Sequence, residues 1–215
     1  MSLVDCCDNT LTDKNTRHSY IDVYEQLLCK KKDSATHVLE VGIGDWQPNA
    51  GSAKMWASYF ENAHVHIVDI INIDKVNPDV YSHPRIHLHM SNDAYNANFF
   101  TNTFLSKGMA FDMLLDDGPH TLESMIKFVQ MYSKIMKEDG ILMVEDVQDI
   151  EWTKTLEAST PEELRPYIEI YDIRNVKGRY DDIVFVINKS KPPSEGGPKL
   201  FVSKAKPAEP KAYIL

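Results

Sequence analysis

Five short apolar runs constrain this chain most, because each stops abruptly on acids or glycine. They are THVLEVGIG (Thr36 to Gly44), VHIVDI (Val65 to Ile70), RIHLHM (Arg85 to Met90, followed by SND), FDMLLDD (Phe111 to Asp117) and GILMVED (Gly140 to Asp146). Near-continuous β-branched and apolar runs of this length are what strands buried on both faces look like. Between them lie stretches with helical spacing: Tyr20, Val23, Tyr24, Leu27 and Leu28 in one, Met55, Trp56, Tyr59 and Phe60 in the next. Thr121 to Lys137 repeats the pattern with Leu122, Met125, Val129 and Tyr132 on one side. Strand alternating with helix predicts an α/β fold, a Rossmann-like doubly wound and mostly parallel sheet.

Toward the end, a short helix is predicted to open at Thr160 with Pro161 at its first position. YIEIYDIRNV and YDDIVFVINK, either side of Lys177 and Gly178, predict a C-terminal antiparallel β-hairpin, which brings the sheet to seven strands. The domain is expected over residues 18–189, after an N-terminal extension (1–17) and before a Pro/Lys-rich tail (190–215) whose composition predicts disorder.

A length of 215 residues suits one well-buried domain. No run approaches the ~18–20 apolar residues of a membrane span. The opening MSLVDCCDNTLTDKN lacks the pattern of a signal peptide, so a cytoplasmic protein is expected. Cys6, Cys7 and Cys29 have neither disulfide nor zinc spacing and are expected to be free thiols. A net charge of −9 argues against a general nucleic-acid binder, which needs a basic face.

In a doubly wound sheet, ligands sit beyond the carboxyl ends of the strands, and here those ends are acidic. Gly42 and Gly44 let the backbone approach a ligand, and Asp69 is placed to accept from a ribose diol. The third glycine of a pyrophosphate-binding loop is missing, which favours a nucleoside ligand without phosphates, such as S-adenosylmethionine. An NAD(P)-dependent oxidoreductase would use Gly42, Gly44 and Asp69 in much the same way, and a plain βα turn would also use the glycines. Asp93 suits an adenine amino group or a helix N-cap.

Asp117, Glu145 and Asp146 end runs that a right-handed crossover makes neighbours. Such oxygen donors suit Mg²⁺, Mn²⁺ or Ca²⁺, though each acid alone would serve equally as a solvated helix cap. His120 follows three residues after Asp117, and an ordinary histidine pKa of about 6.5 suits a general base; a cap for the following helix is the plainer use. His64 and His66, like His87 and His89, alternate with apolar residues, share one face of adjacent strands and are expected to be structural.

DDGPH followed by VED, with TDKNTRHSYIDVYEQLL, VLEVGIG, GSAKMWASYFENAHVHIVDI, DVQDIEW and RYDDIVFVI, resembles the class I S-adenosylmethionine-dependent methyltransferases, and more narrowly the metal-dependent sugar O-methyltransferases of macrolide sugars and viral or bacterial glycans. The resemblance runs from about Thr12 to Asn188. It implies Mg²⁺ (or Mn²⁺) held by Asp117, Glu145 and Asp146, with His120 as the base that deprotonates a sugar hydroxyl. It implies cofactor contacts from Glu40, Gly42, Gly44, Asp69, Asp93 and Asp116. His18 and Tyr20 would face substrate from an N-terminal helix that covers the site. The macrolide enzymes carry longer N-terminal regions than this chain, so a glycan deoxysugar such as rhamnose is the expected acceptor, and the chain is compatible with one domain of a larger glycan-building protein. A non-catalytic glycan-binding domain of the same fold stays open as an alternative, and oligomeric state is not legible.

Overall fold

Each apolar run forms a strand, and the acids at its end mark where the chain leaves the sheet. The computed structural model describes residues 1–44 and 47–203. In chain order these form α1 (Leu3–Cys6), α2 (Tyr20–Leu28), β1 (His37–Val41), α3 (Gly51–Tyr59), β2 (His64–Asp69), β3 (Ile86–Met90), α4 (Ala97–Thr103), β4 (Phe111–Asp116) and α5 (Leu122–Tyr132). They continue as β5 (Met136–Val144), α6 (Trp152–Ser159), β6 (Ile168–Asp172), α7 (Arg174–Lys177), β7 (Ile183–Asn188) and β8 (Lys199–Val202). The sheet runs β3-β2-β1-β4-β5-β7-β6-β8. Strands β1 to β5 are parallel to their neighbours among themselves, and β7 joins antiparallel to both β5 and β6.

Among the described residues the sheet therefore has eight strands, not seven. The extra strand, β8, pairs parallel with β6 inside the segment expected to be disordered. Backbone bonds secure it: the Ser203 N–H donates to the Asp172 carbonyl at 3.0 Å, and the Ser194 N–H to the Pro166 carbonyl at 2.7 Å. Phe201 also stacks on Tyr171. Flanking Pro and Gly masked a four-residue strand whose side chains are all exposed and leave no burial pattern to read. Residues 204–215 of the expected tail, and positions 45–46 of the glycine loop, lie outside the described residues. The antiparallel pair at the C-terminus is present, but its connection is a ten-residue excursion through α7 rather than a tight turn at Lys177 and Gly178. Pro161 N-caps a 3-10 segment, Glu162–Tyr167, in place of the expected helix.

Register explains the two cores. Val38, Met113 and Ile141 are neighbours across β1, β4 and β5, and pack under α2 and α3 with Tyr20, Tyr24 and Trp56. The next residue of each strand, Leu39, Leu114 and Leu142, faces the other way, against Phe104, Phe128 and Tyr132. This period of two makes unbroken apolar runs necessary. The N-terminal segment belongs to the first core: Leu3 is fully buried, and the Leu11 carbonyl runs so close to α3 that a Cβ on Gly51 would sit 2.3 Å from it.

Candidate functional site

Strand order reverses between β1 and β4, where doubly wound sheets hold their ligands. A cavity of about 710 Å³ opens there. The strand ends beneath it are stitched together: Gly42 donates to the Val68 carbonyl at 2.9 Å, and Asp117 to the Val41 carbonyl at 2.9 Å. Gly42 has φ +98°, and a Cβ there would lie 2.0 Å from the Asp117 carbonyl oxygen, so only glycine lets the two loops meet.

One half of the cavity suits a nucleoside. Gly42, Gly44, Asp69 and Asp93 line it with Val68, Ile70, Ile71 and Tyr95. Asp69 is fixed by the N–H groups of Ile43 (2.8 Å) and Ile71 (2.9 Å), one on each oxygen, which leaves each oxygen a lone pair for a diol. Asp93 accepts from the Tyr95 N–H at 2.8 Å. Asp116 is not on the wall. It is buried behind Tyr95, whose hydroxyl donates to it, and burial together with the neighbouring Asp117 pushes its carboxyl up to about 7. Glu40 is also interior, accepting from the Trp56 indole at 3.0 Å.

The other half is acidic and contains a residue that the sequence reading overlooked. Lys14 is fully enclosed, its Nζ 2.6 Å from Asp117, 2.5 Å from Glu145 and 3.4 Å from Glu40. Burial would lower its pKa, but attraction to Asp117, Glu145 and Glu40 wins and holds it well above the ordinary lysine value. Burial pushes Glu40 and Glu145 up to about 7 despite the lysine. Tyr24 donates to the second oxygen of Glu145, so that carboxylate is committed to Lys14 and Tyr24.

Asp117, His120 and Asp146 come together on the cavity wall, with ligand atoms all within 4.8 Å of one another. His120 Nε2 lies 3.5 Å from Asp146 and 3.9 Å from Asp117. His120 and Asp146 both have left-handed backbones, with φ of 52° and 55°. Conformations of that kind cost on the order of 1–3 kcal/mol and persist where surrounding structure enforces them. Thus two of the three expected metal ligands meet beside His120, while Glu145 faces the lysine. His18 and Tyr20 lie behind this group and do not line the cavity. Tyr20 donates to Asp146 at 2.5 Å, and His18 Nδ1 is 2.7 Å from Asp182 and 3.3 Å from Asp146. Burial opposes protonation of His18, but Asp182, Asp146 and Asp13 outweigh it and raise its pKa.

The donor set fits a divalent ion. Glu40, Asp117 and Glu145 surround one lysine, Asp146 joins Asp117 and His120 beside it, and carboxylate oxygens with an imidazole nitrogen are donors that Mg²⁺ or Mn²⁺ accepts. A second buried group, His18, Asp181 and Asp182, is accounted for by ion pairs, since Arg179 grips Asp181 with two hydrogen bonds. Asp13 and Tyr95 line the cavity and were also missed. Lys14 and Asp13 sit in a polar stretch without periodicity, so their only sequence signal is that they fall inside TDKNTRHSYIDVYEQLL, where the resemblance begins.

No family model matches the chain. It is similar to the 8-demethyl-8-alpha-L-rhamnosyl tetracenomycin-C 2'-O-methyltransferase of Streptomyces olivaceus, 27% identical over 144 residues, which is 66% of this chain and 36% of that protein. The L-olivosyl-oleandolide 3-O-methyltransferase of Streptomyces antibioticus is 26% identical over 63% of this chain and 34% of its own length. Among solved structures, the MycE methyltransferase of mycinamycin biosynthesis, in complex with Mg and SAH, superposes with a TM-score of 0.63 at 20% identity, covering 92% of this chain and 56% of that one. The fold is that of the class I methyltransferases. Fibrillarin of Methanococcus jannaschii shares it at a TM-score of 0.51 and 17% identity, over 74% of this chain and 68% of its own. The chain spans about a third of the length of the curated relatives it matches. The methyltransferase likeness drawn from DDGPH and VED thus agrees with both comparisons.

Proposed function

We propose that this chain carries the catalytic domain of an S-adenosylmethionine-dependent O-methyltransferase that acts on a sugar hydroxyl, a deoxysugar such as rhamnose, with a divalent metal and His120 as general base. The observation that carries this reading is one cavity with two unlike halves, a nucleoside wall at Asp69 and Asp93 and an acid–imidazole group at Asp117, His120 and Asp146. Relatives named for methylating rhamnosyl and olivosyl groups support the sugar class.

When bound, the cofactor supplies a methyl group activated as a sulfonium, and a divalent ion supplies positive charge that makes a nearby hydroxyl more acidic. The protein's own groups do the rest. Asp69, fixed by two backbone N–H groups, orients the nucleoside. His120 Nε2 faces the acidic group, takes the hydroxyl proton, and is stabilised as an imidazolium by Asp146 at 3.5 Å. Tyr20 and Lys14 hold Asp146 and Asp117 in place.

The test is methyl transfer from labelled S-adenosylmethionine to rhamnose- and xylose-containing acceptors. Activity lost in EDTA and restored by Mg²⁺ is expected; transfer indifferent to chelation would remove the metal from the reading. In parallel, S-adenosylhomocysteine should raise the melting temperature while NAD(H) leaves it unchanged. The reverse result would favour the oxidoreductase alternative.

A further inference from the structure

Histidines crowd one face of the sheet on β1, β2 and β3. His37 is the register partner of His64, and His66 of His87, so with His89 five imidazoles share that face. Their nitrogens meet across the strands. His64 Nδ1 is 2.8 Å from His87 Nε2, His66 Nδ1 is 3.2 Å from His89 Nε2, and His37 Nδ1 is 3.4 Å from His66 Nε2. His64 is exposed and His87 half-buried, whereas His66 is buried edge-on against Phe104 and Phe111. His37 and His64 open their strands, whereas the acidic cavity lies at the strands' carboxyl ends.

We propose that His64 Nδ1 and His87 Nε2 chelate a borderline divalent transition-metal ion, Cu²⁺, Ni²⁺ or Zn²⁺, at a site separate from the acidic cavity. The spacing is that of a chelate. Metal–imidazole bonds of ~2.0–2.1 Å put two nitrogens ~2.9 Å apart at a right angle and ~3.3 Å apart at a tetrahedral angle. The observed 2.8 Å matches the right angle of tetragonal Cu²⁺ or Ni²⁺, and water can complete the shell on the exposed side. Imidazole nitrogens select these ions, whereas the carboxylates at the strands' carboxyl ends suit Mg²⁺ or Mn²⁺, so the two sites differ in character.

The surroundings disfavour imidazolium charge at four of these histidines. Burial holds His87 and His37 below the usual histidine range, His89 down to about 4 and His66 down to about 3. The charged neighbours are Lys137 and Asp112 beside His37, and Lys107 beside His89. Lys137 and Asp112 pair with each other at 2.7 Å. In the absence of an ion, a single N–H···N hydrogen bond accounts for the His64–His87 contact.

The experiment titrates EDTA-stripped protein with Cu²⁺ in excess Mg²⁺, which competes for the acidic cavity, and reads the electron paramagnetic resonance spectrum. One copper per chain with two-nitrogen superhyperfine structure is expected. His64→Asn and His87→Asn should each weaken binding at least about tenfold, the loss that removal of even an outer metal partner brings. His120→Asn should leave the two-nitrogen spectrum intact. A hydrogen-bonded pair only is the conclusion if no two-nitrogen signal forms at one equivalent, or if the signal survives in the His64→Asn/His87→Asn double variant. Loss of the signal in His120→Asn alone would move the copper to the cavity and overturn the site. Thermal melts in EDTA confirm that each variant is folded. None of these readouts depends on methyl transfer.

Discussion

At the scale of single residues, the DDGPH turn separates tasks between neighbours. Asp116 points inward to Tyr95, Asp117 outward to Lys14 and the cavity, and His120 reaches the same space because its backbone is held left-handed. Positioned general bases contribute roughly 10²- to 10⁴-fold to rate. His120→Ala should therefore lower turnover by about that factor, and calorimetry should find S-adenosylhomocysteine affinity nearly unchanged, because the nucleoside wall proposed above is built from other residues. Normal turnover would remove His120 from the role of base. The motif was legible because its residues stand together in sequence. Lys14 was not, because its partners lie 103 and 131 residues away and no local pattern announces them.

At the scale of elements, the segment before α2 acts as a strap. It crosses α3 at Gly51, turns at Asp13, whose carbonyl accepts from the N–H groups of Thr16, Arg17 and His18, and inserts Lys14 among three carboxylates. Breaking a buried charge network by removing one partner costs about 3–5 kcal/mol. Lys14→Met should lower unfolding free energy by an amount of that order in urea titrations without Mg²⁺, and an unchanged midpoint would mean that the strap does not dock. The long apolar strands and amphipathic helices could be read from sequence because tertiary packing and local pattern agree there. α6 could not, since Thr153 and Leu156 are its only buried residues and leave no apolar stripe to read. β8 failed for the same reason, being held by backbone bonds that any sequence can make.

At the scale of the whole molecule, buried acids set how stability depends on pH. Asp116 rises from 3.8 to about 7, and Glu40 and Glu145 from 4.5 to about 7, chiefly through burial. The native state therefore binds more protons than the unfolded chain between these values. Their contribution is complete below the unfolded pKa and is lost as pH rises toward about 7. Asp112, Asp172 and Asp181 shift downward and act oppositely, losing their contribution only as pH falls below the ordinary carboxylate range. The melting temperature of metal-free protein should fall between about pH 5 and pH 8. Asp116→Asn should flatten that fall, and Mg²⁺, which favours ionised acids, should offset it at the upper end. A melting temperature that climbs over this range in EDTA would contradict the assignment.

The strap also bears on biosynthesis. Domains condense as the chain leaves the ribosome, at about 5–20 residues per second. Lys14 emerges well before Asp117 and Glu145, and until they follow its two shortest ion pairs cannot form. The acidic centre is thus closed by a residue made more than a hundred positions ahead of two of the acids it pairs with. A nascent chain stalled before β5 would display its charged strap to chaperones and proteases, so access to Lys14 reports whether synthesis has passed the final acid.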